Sequence, residues 1–238
     1  MESTSSTACG GRMATRTADA GTGNALPSNI TMTPPRCRAF VISLRRARER
    51  RLHVLKSVEN MNISYEIVDA FDARQVRSEF LIRGNGGENL KDGEVACYHS
   101  HIGLFERIVD YGLDYGLILE DDFIVGDSMG LTLRNVWDHL PPDADHIQLH
   151  NFKSHFSSCY QVEEKGEHFN KLECTNVMTV GYIISNRLAK FMLRCHPIPK
   201  MPIDCQLIEI SKQRIFDFYD VNEAVISANW RIPSQIHG

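Results

Sequence analysis

Apolar residues in this chain fall in short runs divided by stretches of helical period. Ala39-Phe40-Val41-Ile42-Ser43-Leu44 is an apolar run of strand length. An arginine-rich stretch follows, after which Leu52, Leu55 and Val58 recur at helical spacing. Tyr65-Glu66-Ile67-Val68-Asp69-Ala70 predicts a second strand, and strand, helix, strand in about 30 residues is a βαβ unit. Residues 83–93, rich in Gly and Asn, predict a loop. A helix is expected from near Asp92, whose side chain can cap the first free amides. Tyr98, Ile102, Phe105 and Val109 give that helix one apolar stripe, and Gly112 predicts its stop. Gly116-Leu117-Ile118-Leu119 predicts a short buried strand that runs directly into Glu120-Asp121-Asp122. His146 to Leu149 and Val177 to Ile184 predict further strands, and Ser185 is placed to cap a helix from Asn186 to Arg194. There is no internal repeat. This alternation predicts a single α/β domain over residues 37–238, with a mostly parallel sheet flanked by helices.

Residues 1–36 differ in kind. Ser, Thr, Gly, Ala and Pro fill 23 of these 36 positions and no aromatic residue occurs, so too little apolar surface is available to offset ordering entropy. A disordered tail is expected there, with organelle targeting as a weaker reading of its arginines and serines. The whole chain has 238 residues, long enough for a core without metal or disulfide staples. No apolar run approaches the ~18 residues of a membrane helix. A net charge of −4 argues against a general nucleic-acid binder. The seven cysteines are scattered and form no Cys-x-x-Cys pair, which speaks against a zinc ribbon or redox motif and fits a reducing compartment. The start of the chain lacks the basic and apolar segments of a secretory signal, so the cytoplasm is the expected location, with peripheral membrane association allowed and a secretory lumen less favoured. The triplets Asn29-Ile30-Thr31 and Asn62-Ile63-Ser64 are then read as chance.

Candidate chemistry concentrates at the acidic triplet Glu120-Asp121-Asp122. In open α/β sheets ligands bind beyond the carboxyl ends of strands, and three adjacent acids there repel one another unless a divalent cation relieves them. A solvated turn is the plain alternative. Arg45, Arg46, Arg48, Arg50 and Arg51 follow the first strand, where a strand-to-helix turn presents amides and arginine adds bidentate phosphate contacts. The alternative is a solvated helix face, which suits at least three of the five. Cys97 and His101 share a helix face at i, i+4, but no second ligand pair stands near them in sequence, and a structural role for the histidine is preferred. Nothing in sequence supplies a base for Cys97 as a nucleophile. Asp204, in the Pro-punctuated stretch around Pro202-Ile203-Asp204, reads alone as a loop or cap residue.

These blocks together resemble the family 25 glycosyltransferases, the lipooligosaccharide and collagen-type galactosyltransferase relatives. Val41-Ile42-Ser43-Leu44, Glu49-Arg50-Arg51 and Asp69-Ala70 are similar to the family's opening. Asp92-Gly93-Glu94-Val95-Ala96-Cys97-Tyr98-His99-Ser100-His101 resembles its Gly-Glu-x-x-Cys-x-x-Ser-His block, and Leu117 to Asp122 its Glu-Asp-Asp motif. Thr179 to Ser185 resembles the Gly-Thr-x-x-Tyr-x-Ile-Ser segment, with Met178 in place of the family's Gly, and Pro202-Ile203-Asp204 a late Pro-x-Asp element. The resemblance covers about residues 38–210. It implies a GT-A-like (Rossmann-like) fold and a metal-dependent, inverting transfer of a sugar, galactose first, from a UDP-sugar to a glycan, lipooligosaccharide or glycoprotein acceptor. The implied cofactor is Mn²⁺ or Mg²⁺. Glu120 and Asp122 become the outer, metal-binding positions of a DxD-like motif, with Asp121 in support. Ser43, Arg50, Glu94, Ser100 and His101 become donor-pocket residues, with Arg50 on the pyrophosphate. Asp204, alongside Glu120, becomes the catalytic carboxylate that serves as base. His237 is a late histidine available as a third metal ligand. A non-catalytic nucleotide- or glycan-binding protein and a metal-dependent phosphoesterase or nucleotidyltransferase are the competing classes.

Overall fold

The computed structural model describes residues 35–58, 64–75, 81–126, 130–150, 160–175 and 178–231. The expectations for the N-terminal tail up to residue 34 and for His237 lie outside these residues. The elements run β1 (Cys37–Ser43), α1 (Arg48–Val58), β2 (Tyr65–Asp69), α2 (Asp92–Asp110), β3 (Tyr115–Glu120), β4 (Phe123–Val125), β5 (His146–Gln148), β6 (Gln161–Lys165), β7 (Phe169–Cys174), β8 (Gly181–Ser185), α3 (Asn186–Cys195), α4 (Ile203–Ser211), β9 (Phe218–Val221) and β10 (Ile226–Ala228).

Eight strands form one sheet in the order β2-β1-β3-β8-β5-β9-β7-β6, while β10 and β4 pair as a separate ribbon. β1 is parallel to both β2 and β3, and β5 is parallel to β9. β8 runs antiparallel to both its neighbours, as does β7. Six of the eight strands therefore share one direction, and the mostly parallel sheet expected from sequence is a mixed one with two reversed members.

Both faces of the sheet are covered, which explains why its central strands read as continuous apolar runs rather than alternating ones. Ala39 and Val41 of β1, Leu117 and Leu119 of β3, and Ile183 of β8 point to one face and pack with Val54 and Val58 of α1. Phe40, Ile42, Ile118, Tyr182 and Ile184 point to the other, against Tyr98, Phe105 and Ile108 of α2, Leu188 and Met192 of α3, and Ile203 and Leu207 of α4. Period-two alternation thus sorts neighbouring residues of one strand into two separate cores. Gly116 permits a close approach of α2 to the sheet: a Cβ there would lie 2.3 Å from the Cδ1 atom of Ile108.

Helix α2 ends as expected, with Gly112 at φ +60° in the left-handed conformation that closes a helix. Its start differs. Lys91 is the residue before the first turn, and the Glu94 carboxylate accepts its backbone N–H at 2.8 Å. Asp92 lies inside the turn and pairs with Arg83 instead. Ser185 does cap α3, accepting from the Leu188 amide at 3.1 Å. Asp204 sits in the first turn of α4, not in a loop. Cys174 is disulfide-bonded, while Cys37, Cys97, Cys195 and Cys205 are free. Among the described residues no helix is long and apolar enough to cross a membrane.

Candidate active site

Three strand ends meet at one side of the sheet. β1 stops at Ser43 and β3 at Glu120, and the reversed direction of β8 brings its entrance to the same place: the Glu120 amide donates to Val180 O at 3.0 Å. Beyond them lies a cavity of about 280 Å³. The acidic triplet and Ser43 form one wall, Arg50 of α1 a second, and the chain leaving β2 (Ala70 to Arg74) a third. The side of α2 that carries Cys97, Ser100 and His101 completes it. This is the position that strand polarity predicts for a ligand.

The three acids have different fates. Asp121 is buried and fully engaged: Arg50 donates to it at 2.6 Å and the Ser43 hydroxyl at 2.8 Å. Asp122 lies 3.6 Å from the same guanidinium and is pushed up to about 6 by burial, then by Glu120 and Asp121, against the pull of Arg50. Glu120 accepts a hydrogen bond from the Thr179 hydroxyl and lies 3.5 Å from His101 Nε2. Burial pushes the Glu120 carboxyl up, but His101, Thr179 and Arg50 outweigh it and hold it below the usual range. One guanidinium thus answers three carboxylates, and repulsion from Glu120 and Asp121 adds to burial in raising Asp122. Carboxylate oxygens with surplus charge at a cavity wall are a donor set suited to a hard divalent cation such as Mn²⁺ or Mg²⁺.

His101 is held by its other nitrogen, Nδ1, which is 2.8 Å from the Tyr182 hydroxyl; the two rings stack with centroids 5.7 Å apart. Burial, followed by Glu120, Asp204 and Glu94, pushes the Cys97 thiol well above its ordinary value. Ser100 accepts from the Phe71 amide and donates to Ala96 O, both at 2.8 Å, tying the exit of β2 to α2.

Residues 37–207 match the sequence model of glycosyltransferase family 25, described as an LPS biosynthesis protein family. The chain belongs to glycosyltransferase family 25. It is 28% identical over 180 residues to the lacto-N-neotetraose biosynthesis glycosyltransferase LgtB of Neisseria gonorrhoeae, spanning 68% of this chain and 64% of that one. It is 26% identical over 187 residues to procollagen galactosyltransferase 1 of Danio rerio, spanning 69% of this chain and 30% of the relative. A third relative, 34% identical over 112 residues, is the inactive glycosyltransferase 25 family member 3 of Mus musculus, with 42% of this chain and 19% of that one covered. This family 25 chain therefore spans less than two thirds of the length of the relatives it matches.

Of the residues proposed from sequence, Ser43, Arg50, Ser100, His101, Glu120, Asp121 and Asp122 line the cavity together. Arg50 is seated on Asp121, which places it among the acids it neutralises. Glu94 and Asp204 are not among the lining residues: Glu94 serves the start of α2, and Asp204 accepts its neighbour's amide at 2.8 Å in the first turn of α4. Both still act electrostatically on Cys97, which does line the cavity. Sequence reasoning passed over Phe71, Asp72 and Arg74. Their signal was available, because they follow β2, a parallel neighbour of β1, and so leave the sheet at its ligand-binding end. Asp72 holds Arg46 at 2.9 Å, and the Phe71 ring is 40% exposed at the cavity. Of the five arginines after β1, Arg45, Arg46, Arg50 and Arg51 each face a carboxylate.

Proposed function

We propose that this chain is a metal-dependent, inverting hexosyltransferase of GT-A-like fold that moves galactose from UDP-galactose to a hydroxyl of a glycan or glycoconjugate. The observation that carries this reading is the pair of cavity-facing carboxylates, Glu120 and Asp122, at the carboxyl end of β3 in a family 25 chain. Glu120 and Asp122 would hold the Mn²⁺ or Mg²⁺, which when bound offsets the charge developing on the diphosphate leaving group.

The protein's own groups have separable tasks. Arg50 and Ser43 fix Asp121, and with it the turn that aims Asp122 into the cavity. The Thr179 hydroxyl orients Glu120, and Thr179 and His101 together keep it ionised. Arg74 and Phe71 are exposed in the cavity lining; the guanidinium would meet the donor's phosphates and the Phe71 face would stack on the uracil ring. In the transfer, the acceptor oxygen bonds to the anomeric carbon as the bond to the diphosphate oxygen breaks. The electron pair leaves with UDP, and the acceptor proton passes to a carboxylate; Asp204, outside the lining of this cavity but near enough to act on Cys97, is the one the family resemblance names. The acceptor is taken to be a lipooligosaccharide or glycoprotein glycan, and the cytoplasmic side of a membrane the place of work.

Two variants test this. Asp122→Asn should abolish Mn²⁺-dependent binding of UDP by calorimetry together with transfer. Asp204→Asn should keep UDP binding while kcat drops by roughly 10²–10⁴. Full transfer by Asp122→Asn in the presence of chelator would overturn the assignment. A second reading, a nucleotide-binding protein without transfer, draws on Arg50 occupying the middle acid of the triplet. It predicts UDP affinity but no Mn²⁺-dependent hydrolysis of any UDP-sugar.

A further inference from the structure

We infer that Cys97, His101 and Glu120 form a second, softer metal site in the cavity wall, one that takes a zinc-class divalent cation. One donor atom from each residue lies within 4.8 Å of those of the other two. Cys97 and His101 stand one turn apart on α2, and Glu120 comes to them from the end of β3. The third donor that the sequence did not place near the pair is thus supplied by the fold. A tetrahedral zinc ion with bonds of roughly 2.0–2.3 Å needs its ligands about 3.3–3.8 Å apart, an adjustment of about 1.5 Å at most.

The histidine gives the independent indication. His101 is fully buried, and its Nε2 makes no hydrogen bond, although it points at Glu120 from 3.5 Å. A buried ring nitrogen that meets a carboxylate only at 3.5 Å, with no hydrogen bond formed among the described residues, is left underpaired unless a cation sits between the two. Its other nitrogen faces the Tyr182 hydroxyl at 2.8 Å. That is the arrangement in which a metal-bound histidine donates Nδ1–H to a fixed outer partner and frees Nε2 for the ion. Thiolate, imidazole and carboxylate together favour zinc, cobalt or copper over the oxygen-preferring Mn²⁺ and Mg²⁺. Three protein ligands leave a fourth position, and because Cys97 and Glu120 line the cavity, that position opens into it.

Glu120 belongs to both sets, so a zinc ion here would compete with the hard cation of the proposed donor site; this consequence, unlike the binding itself, rests on the transferase reading. The test uses the full chain, stripped with chelator and titrated with Co²⁺ alone. A thiolate-to-cobalt band in the near ultraviolet, with four-coordinate d–d absorption in the visible, is expected. Zn²⁺ should displace both signals. Cys97→Ser and His101→Gln should each lose the thiolate signature or weaken Zn²⁺ binding more than tenfold, Tyr182→Phe should weaken it by about 10–100-fold, and Asp122→Asn should retain it. Alkylation mapped by mass spectrometry on the unmutated chain guards against misfolded variants: Zn²⁺ should slow modification of Cys97 selectively. Absence of the thiolate band, its persistence in Cys97→Ser, or alkylation of Cys97 indifferent to Zn²⁺ would overturn the site. Zinc binding without inhibition of sugar transfer by Zn²⁺ would leave the site standing and count against the transferase role of Glu120.

Discussion

Met178 stands where the family pattern has glycine, and its backbone is at φ +93°, in the region that favours glycine. It precedes Thr179, whose hydroxyl orients Glu120, and its carbonyl accepts from the Gln148 side chain. Holding a side chain in this conformation costs roughly 1–3 kcal/mol. Met178→Gly should therefore stabilise the fold by about 1 kcal/mol, after allowing roughly 0.5–1 kcal/mol for the freer unfolded chain. Urea unfolding checks this, and a lower midpoint in the variant would show that the methionine side chain, not the backbone, governs the position. The same scale explains what could be read of the site in advance. The acids and arginines stood out by type and spacing. That Arg50 would sit on Asp121 while Asp122 stayed open to the cavity depends on how α1 docks on the sheet, which no local pattern encodes.

At the level of elements, legibility followed burial. β1, β3, β8 and α2 are covered on all sides or present a continuous apolar stripe, and their patterns predicted them to within a few residues. β6 is an exposed edge strand with register shifts, reading Gln161-Val162-Glu163-Glu164-Lys165, and shows no apolar run to find. β4 and β10 are three-residue strands fixed by each other. α4 escaped notice because its N-cap is Pro202, without a side-chain cap. The reversed direction of β8 was also invisible, since the apolar pattern of a buried strand is the same read either way. Ser185 joins two of these elements: it caps α3 and also donates to Asp145 at 2.7 Å. Ser185→Ala should cost about 1–2 kcal/mol, the cap together with a buried carboxylate contact. Ser185→Asp, which can cap but places a second acid against Asp145, should not restore it; recovery of the wild-type midpoint by that variant would assign the whole effect to the cap.

At the scale of the whole molecule, a histidine buried in the core adds to acid lability. His146 is fully enclosed between the rings of Tyr182 and Phe218, each 5.0 Å away, and neither of its nitrogens has a hydrogen-bond partner. Burial, then His150, pull it down to about 3, against Asp145. The ordinary value is 6.5, so between about pH 3 and 6.5 the unfolded chain binds a proton that the native one refuses. Stability is complete above that window and falls as the pH drops through it. His146→Leu should flatten the fall by up to one proton, ~1.4 kcal/mol per pH unit, in unfolding measured at successive pH values; an unchanged slope would place the acid sensitivity elsewhere. The far end of the sheet is locked differently. Asp145 takes Arg187 and Ser185, and Lys171 bridges Asp143 and Asp217 at 3.0 and 2.7 Å, all on the side away from the cavity. A clasp at one pole leaves the opposite rim free to be rebuilt, so exchanging the segments that border the mouth among relatives should retarget recognition without unseating the scaffold beneath.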